Sequence, residues 1–257
     1  MHPILFEIGS FPIGTYGVIL AAGALLALAL ARHLAPRAGQ DPDAVTDLFV
    51  WSLLAAFVGA KVALILGDFG DFADHPVRFL IENLRSFGAF YGGLVGGVTA
   101  AIWYLRRKRI PFWAAADVMA PALALAQGLG RWGCFFAGCC YGKPTELPWG
   151  LVFPAVELCA DGTHIHPWPI YESLLDLALA GGLLLLFRRR RFTGQLFLAY
   201  LLVYASARFG LEYLRGDTVR GLYFGGALSL SQIVALAAFA GAAAAWFPLS
   251  RRARATA

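Results

Sequence analysis

Apolar runs about as long as a bilayer crossing recur along this chain, with the charged residues gathered between them. The runs lie at residues 12–31, 46–66, 87–105, 112–130, 168–187, 193–213 and 226–247, each near the ~20 residues that a helix needs to span a hydrocarbon core. In lipid such a run folds as a helix, because a helix satisfies its backbone N–H and C=O groups within the segment. Composition agrees: the 257 residues are 59% hydrophobic and 14% charged, with a mean hydropathy of +0.66, far more apolar than an ordinary soluble domain. The expected fold is an all-α polytopic membrane protein with about seven transmembrane helices. Residues 1–257 would form a single integral membrane domain. The 112–130 run is the least apolar in character, carrying Asp117 and Pro121, both tolerated where they face a bundle interior. The first run lacks a basic leading region and a compelling cleavage site, so no cleavable signal peptide is expected.

The Lys and Arg residues divide unevenly between the two sets of connections. One set holds Arg32, Arg37, residues 106–109, residues 188–191, Arg251, Arg252 and Arg254; the other holds Arg78, Arg85, Arg131, Lys143, Arg215 and Arg220. Thirteen against six places the N-terminus outside and the C-terminus inside. The net charge of +5 is then read as cytoplasmic loops facing anionic lipid, with no nucleic-acid partner.

With that orientation, costly polar groups from separate runs come to the outer side: Tyr16, Lys61, Tyr91, Arg208, Glu212, Tyr213 and Arg215. Ionisable side chains in membrane helices face a cavity or a partner, so this gathering predicts a site open to the outer leaflet. Arg208 and Glu212 are four residues apart and share a helix face, which suits an ion pair. The glycines of "YGGLVGG", among them Gly92 and Gly93, suit either close helix packing or room for a lipid headgroup. The stretch "GRWGCFFAGCCYGKPTELPWG", residues 130–150, opens an outer-face segment expected over residues 130–167. It carries Arg131 at its start and a proline turn with Trp149 at its end.

Several blocks in this order carry a family resemblance: "TYG" near the start, "GGLVGG", "GRWGCFFAGCCYGKPTELPWG", "HPWPIYESLLD" (166–176), "ARFGLEYLRGD" and "LSLSQI" (228–233). Together they resemble the prolipoprotein diacylglyceryl transferases, integral membrane enzymes of bacterial lipoprotein maturation. The family signature is roughly G-R-x-G-N-F-x-N-x-E-x-x-G. Gly130, Arg131, Gly133, Phe135 and Gly142 keep its register. The resemblance implies transfer of a diacylglyceryl group from phosphatidylglycerol to the lipobox cysteine thiol of a preprolipoprotein. The product is a thioether and glycerol phosphate leaves, with no metal or soluble cofactor. It also implies a multi-pass enzyme of the bacterial inner membrane whose active site faces the outer leaflet. Arg131 and Arg208 match the family's key arginines, and Tyr16 and Gly142 match functional positions. Arginine suits such a site because its planar fork binds phosphate at two points and stays charged.

The chain departs from the pattern in its hydrogen-bonding part. Tyr91 stands where most members have a histidine, and Cys134, Ala137 and Cys139 replace the signature's two asparagines and its glutamate. The expected catalytic set is Arg131, Arg208, Tyr91 and Glu212. The expected substrate contacts are Tyr16, Lys61, Gly92, Gly93, Cys134, Gly142, His166 and Arg215. Glu212 and His166 are alternative proton acceptors. Two other readings fit the rewriting: a divergent paralogue serving a different acceptor, and a non-enzymatic phospholipid-binding, transport or metal-binding membrane protein. Cys134, Cys139, Cys140 and Cys159, with His164 and His166, fall in the same outer segment. In an oxidising compartment a disulfide among the four cysteines is expected to brace it. They allow three full pairings, and a bridge between the adjacent Cys139 and Cys140 would be strained. Zinc or copper is the alternative for these ligands, although C-x4-C-C matches no established finger or ribbon.

Overall fold

A helix lies at each of the seven apolar runs, but several begin or end where the hydropathy pattern did not place them. The computed structural model describes residues 2–9, 11–83, 89–154, 156–216 and 222–255. Arg85 and Arg220, both used for orientation, lie outside the described residues. The chain opens with a hairpin of β1 (Ile4–Ile8) and β2 (Phe11–Gly14), turned at Gly9 with φ +61°. The first helix, α1, therefore spans Thr15–Leu34. Next come α2 (Pro42–Gly67), the short α3 (Phe69–Asp74) and α4 (Pro76–Glu82), and α5 (Phe90–Lys108). The rest comprises α6 (Phe112–Ala137), α7 (Trp168–Phe187), α8 (Gln195–Leu211), the two-residue strands β3 (Leu222–Tyr223) and β4 (Leu228–Ser229), and α9 (Leu230–Ala255).

Among the described residues, five helices are long and apolar enough to cross a membrane: α1, α2, α6, α7 and α9. α8 has only 17 residues, about 26 Å of rise. α5 opens on glycines and ends in Arg106, Arg107 and Lys108. Large apolar side chains on these helices face outward, with Leu185 of α7 75% exposed and Leu66 of α2 68% exposed. In water such faces would be aggregation surfaces; in lipid they are the expected exterior.

The chain divides into two units, residues 1–31 with 116–257, and residues 32–115. In the second unit α2 and α5 touch backbone to backbone through small residues. A Cβ added to Gly92 would lie 2.2 Å from Ala63 Cβ, and one added to Gly96 would lie 2.4 Å from the Ala55 carbonyl oxygen. The glycines of "YGGLVGG" are thus spent on helix contact, the small-residue packing that lets membrane helices approach closely. Of the two readings open for Gly92 and Gly93, close packing on α2 is the one their contacts match. Lys61 is also engaged locally: its Nζ donates to the Asn83 carbonyl oxygen at 2.7 Å, at the C-terminal end of α4, where a cation is favoured.

In the first unit α6 is the hub, its Val118, Ala120, Ala122 and Ala124 fully buried. Gly128 faces α7 so closely that a Cβ would lie 2.8 Å from Leu177 Cγ, and Ser173 Oγ donates to the Gly128 carbonyl oxygen at 2.8 Å. Gly133 lies against the Tyr16 ring of α1, with 2.9 Å left for a Cβ. Asp117 faces the bundle interior and caps α8. Its carboxylate accepts from the backbone N–H groups of Gly194 at 2.7 Å, Leu196 at 2.9 Å and Phe197 at 3.0 Å, satisfying donors a helix start leaves open.

Candidate functional site

The site starts from the length of α6. That helix continues to Ala137, seven residues past the end of the apolar run. Arg131 and Cys134 therefore sit on its last turns, not in a loop as expected. The contact at Gly128 and Ser173 sets α6 against α7 just below Arg131 and Glu172. Arg131 and Glu172 then meet at two points, Nε to Oε2 at 2.8 Å and Nη2 to Oε1 at 3.0 Å. Such a fork is the strongest geometry available to the pair.

Glu172 also faces Arg208 of α8, whose Nε is 3.8 Å from Oε1. Arg208 Nη1 donates to Glu212, one turn on, as the i,i+4 spacing predicted. Its Nη2 donates to Ser231 Oγ at 3.1 Å. Ser231 is presented by the first turn of α9, which a reciprocal capping box fixes: Gln232 N donates to Ser229 Oγ at 3.2 Å, and Ser229 N donates to Gln232 Oε1 at 3.0 Å. Four elements thus converge on the half-buried Arg131 and the buried Arg208. Deep charges of this kind persist only when paired and hydrogen-bonded.

Trp168, fully buried at the start of α7, is the platform beneath them. Its Nε1 donates to the Leu211 carbonyl oxygen at 2.7 Å. The guanidinium carbons of Arg131, Arg208 and Arg215 lie 5.3, 5.0 and 4.6 Å from its ring centroid. Each is within cation–π range, worth about 2 kcal/mol when desolvated. Three guanidiniums gather here beside the Glu172 and Glu212 carboxylates, offering N–H groups in the planar fork that suits phosphate.

Arg215 is brought there by backbone. Gly142 N donates to the His166 carbonyl oxygen at 3.0 Å, Lys143 N to that of Leu214 at 2.8 Å, and Gly216 N to that of Tyr141 at 3.0 Å. The three segments run so close that a Cβ on Gly142 would lie 2.5 Å from His166 Cβ. Only glycine fits there. His166 belongs to the same ladder. Its Nδ1 is 3.2 Å from the Tyr171 hydroxyl, which accepts from Trp149 Nε1 at 2.8 Å.

The end of α6 gathers three sulfurs. Gly138 takes the left-handed conformation at φ +74°; its N–H donates to the Phe135 carbonyl oxygen at 3.2 Å, and that of Cys139 to the Cys134 carbonyl oxygen at 3.1 Å. This double bond pattern is a Schellman stop, which folds the chain back over the last turn. Cys140 is itself left-handed at φ +58°. The Sγ atoms of Cys134, Cys139 and Cys140 all lie within 4.8 Å of one another. All four cysteines are free thiols, so the expected disulfide is not formed. Cys159 is buried apart, with Phe153, Val156 and Ile165. Arg215 Nη2 lies 3.5 Å from Cys140 Sγ and Arg131 Nη1 3.9 Å from Cys134 Sγ. The neighbouring Cys134 and Cys139 thiols, then Arg215 and Arg131, hold the Cys140 thiol well below its ordinary range against the effect of burial. Hydrogen bonding with Cys134 and Cys140 pushes Cys139 the other way.

Of the expected residues, Arg131, Arg208, Glu212, Arg215, Cys134, Gly142, His166 and Tyr16 fall in the unit that holds this cluster. Tyr91, Lys61, Gly92 and Gly93 belong to residues 32–115, where Tyr91 stacks edge-on with Phe90 at 5.4 Å. Sequence reasoning missed Glu172, Trp168 and Ser231. Glu172 had a legible signal: with Asp176 it puts two carboxyls on one face of an otherwise apolar helix, which membrane economy seldom tolerates without a partner.

Comparison with known proteins followed the same lines. A family model described as prolipoprotein diacylglyceryl transferase matches residues 3–248. The chain is 36% identical over 243 residues to the phosphatidylglycerol–prolipoprotein diacylglyceryl transferase of Trichormus variabilis, covering 91% of this chain and 84% of that one. It is 36% identical over 247 residues to the protein of the same name from Nostoc sp., covering 93% and 86%. A third, from Clostridium tetani, is 35% identical over 236 residues, covering 92% and 93%.

Proposed function

Because the chain belongs to the prolipoprotein diacylglyceryl transferase family, we propose that it moves the diacylglyceryl group of phosphatidylglycerol to the lipobox cysteine thiol of a prolipoprotein. A thioether forms and glycerol phosphate leaves. The observation that carries this reading is the convergence of Arg131, Arg208 and Arg215 around Trp168, with Glu172 tying the first two together.

The reaction displaces a phosphate from carbon, so negative charge collects on the leaving oxygen. Preset cations in a site of low dielectric stabilise that charge without reorganising at the moment of reaction. Glu172 and Glu212 hold the guanidiniums of Arg131 and Arg208 in fixed planes, Trp168 supports them from below, and their planar N–H forks suit the lipid phosphate. The ladder through Gly142 and His166 holds Arg215 at the edge of the cluster. Tyr16, packed on Gly133, and Cys134 border the α6 side. Tyr91 stands in sequence where the family usually has its histidine. A phenol hydroxyl is a poorer proton acceptor than an imidazole nitrogen.

The wider setting belongs to the same proposal. Seven spans, with the N-terminus outside and the C-terminus inside, put residues 130–167 and the arginine cluster on the outer face of the bacterial inner membrane. There the lipid's headgroup and an exported lipobox segment both arrive.

The test is direct. Protein purified in detergent is mixed with phosphatidylglycerol and a lipobox peptide, and the peptide is weighed by mass spectrometry. Diacylglyceryl on the peptide cysteine, absent with Arg131→Ala, is the expected result. No transfer by protein with a native helical circular dichroism spectrum overturns the proposal.

A further inference from the structure

We infer that Cys134, Cys139 and Cys140 form a three-thiolate site for one Zn2+ ion whose fourth position takes the acceptor thiol. The second half of this inference rests on the transferase reading; the first does not. A zinc–thiolate bond is about 2.3 Å, which puts the sulfurs of a three-thiolate site about 3.8–4.0 Å apart. The three Sγ atoms here already lie within 4.8 Å of one another, so side-chain movement of at most about 1 Å closes the site.

Three observations separate this from a chance gathering of thiols. Cys140 holds a left-handed backbone at φ +58°, a strain of about 1–3 kcal/mol for a residue with a Cβ. Glycine would relieve that strain, yet the position carries a thiol turned toward two others. The guanidiniums of Arg131 and Arg215 also approach Cys134 Sγ at 3.9 Å and Cys140 Sγ at 3.5 Å. Outer-shell donors of this kind orient thiolate ligands and balance their charge. Finally, Cys134 is buried while Cys139 is exposed, so one side of the site opens outward. Zinc prefers four ligands, and three protein ligands with one open position is its arrangement in catalytic sites.

The open position answers the lack of a histidine at position 91. A thiol that joins a metal is deprotonated outright. The acceptor sulfur then has the lone pair that forms the bond to the glycerol carbon. The carbon–oxygen bond breaks with its electron pair going to the phosphate, and glycerol phosphate takes up the proton that the thiol released. No electron acceptor or donor enters.

The experiment uses the full chain in detergent, reduced and kept anaerobic, with Co2+ as a coloured substitute for Zn2+ and then Zn2+ itself. The expected result is one equivalent of metal with sulfur-to-cobalt charge-transfer absorption. Cys139→Ser, at an exposed position, should remove about a third of that absorption, one ligand of three. It should weaken binding more than about 100-fold, since losing even an outer-shell partner costs 10–100-fold. Cys159→Ala should change neither. A lipobox peptide bearing cysteine should shift the cobalt spectrum, and its serine counterpart should not. No stoichiometric binding, binding unaltered by Cys139→Ser, or no response to the cysteine peptide would each overturn the inference. Transfer is measured on the same samples: full activity of metal-free protein removes the metal's role and leaves the transferase intact. A cobalt response without any transfer leaves the site and sinks the transferase reading.

Discussion

Arg131 and Glu172, forty-one residues apart in sequence, close a two-point ion pair at 2.8 and 3.0 Å between the last turns of α6 and the second turn of α7. The carboxylate is 2% exposed and the guanidinium 22%, so each is the other's chief compensation for leaving water. Glu172→Ala strands Arg131, and removing one partner of a buried pair typically destabilises by about 3–5 kcal/mol. Glu172→Gln keeps the shape but loses the charge. It should fold and still lose transfer by about 100-fold, the scale of one misplaced electrostatic group. Denaturation in mixed detergent and the peptide transfer assay read the two effects separately.

Arg131→Lys distinguishes a fork from a point charge. Lysine retains the positive charge yet cannot meet Glu172 at two points or lie flat near Trp168. Activity close to that of Arg131→Ala is expected, with stability between the alanine variant and the native protein. Full activity with lysine would mean that charge alone suffices.

Asp117 gives a prediction about folding without chemistry. Its carboxylate accepts three backbone N–H groups at the start of α8. Asp117→Ala leaves those donors without an acceptor and should cost about 2 kcal/mol. Because α8 carries Arg208, activity should fall only as the folded fraction falls. Asp117→Asn, with one acceptor oxygen left, should lie between.

How far the sequence foretold these arrangements depended on the kind of signal involved. Hydropathy located a helix at each apolar run because a helix satisfies its backbone polarity within itself, a local property. It misplaced the end of α6, because the charge of Arg131 interrupts the apolar run while the stop is set by Gly138 adopting φ +74°. The hairpin at Ile4–Gly14 and the short α3 and α4 were missed, since apolar and polar residues mix there without a span-length run. Arg208 with Glu212 was legible from i,i+4 spacing. Arg131 with Glu172 was not, because it depends on which helix packs against α6. The glycines of α5 carried two meanings in sequence, and only the 2.2 Å left beside Ala63 selects helix packing. The cysteines were read as a disulfide, yet the Schellman turn gathers three of them and leaves Cys159 in a separate apolar cluster.

Gly142 is the point where three chain segments crowd together. A methyl group there would sit 2.5 Å from His166 Cβ and 2.7 Å from the His166 carbonyl oxygen. Gly142→Ala should therefore push the ladder apart at a cost of about 1–3 kcal/mol, moving Arg215 off Trp168. Transfer should fall further than stability does. Quenching of tryptophan fluorescence by an added anionic lipid would report whether the displaced arginine still binds headgroup.

The capping box of α9 links a folding signal to the site. Ser229 and Gln232 satisfy each other's backbone donors, and the turn they fix presents Ser231 to Arg208 Nη2 at 3.1 Å. Ser229→Ala removes one half of the box and should cost about 1 kcal/mol. Fraying of that turn withdraws Ser231 from Arg208 while leaving the Glu172 and Glu212 contacts in place. A guanidinium with one restraint fewer binds its anion in more orientations, so the apparent KM for phosphatidylglycerol should rise several-fold with kcat falling less. Ser231→Ala should reproduce the kinetic change without the loss of stability. A Ser229→Ala enzyme with normal KM would separate the cap from the site.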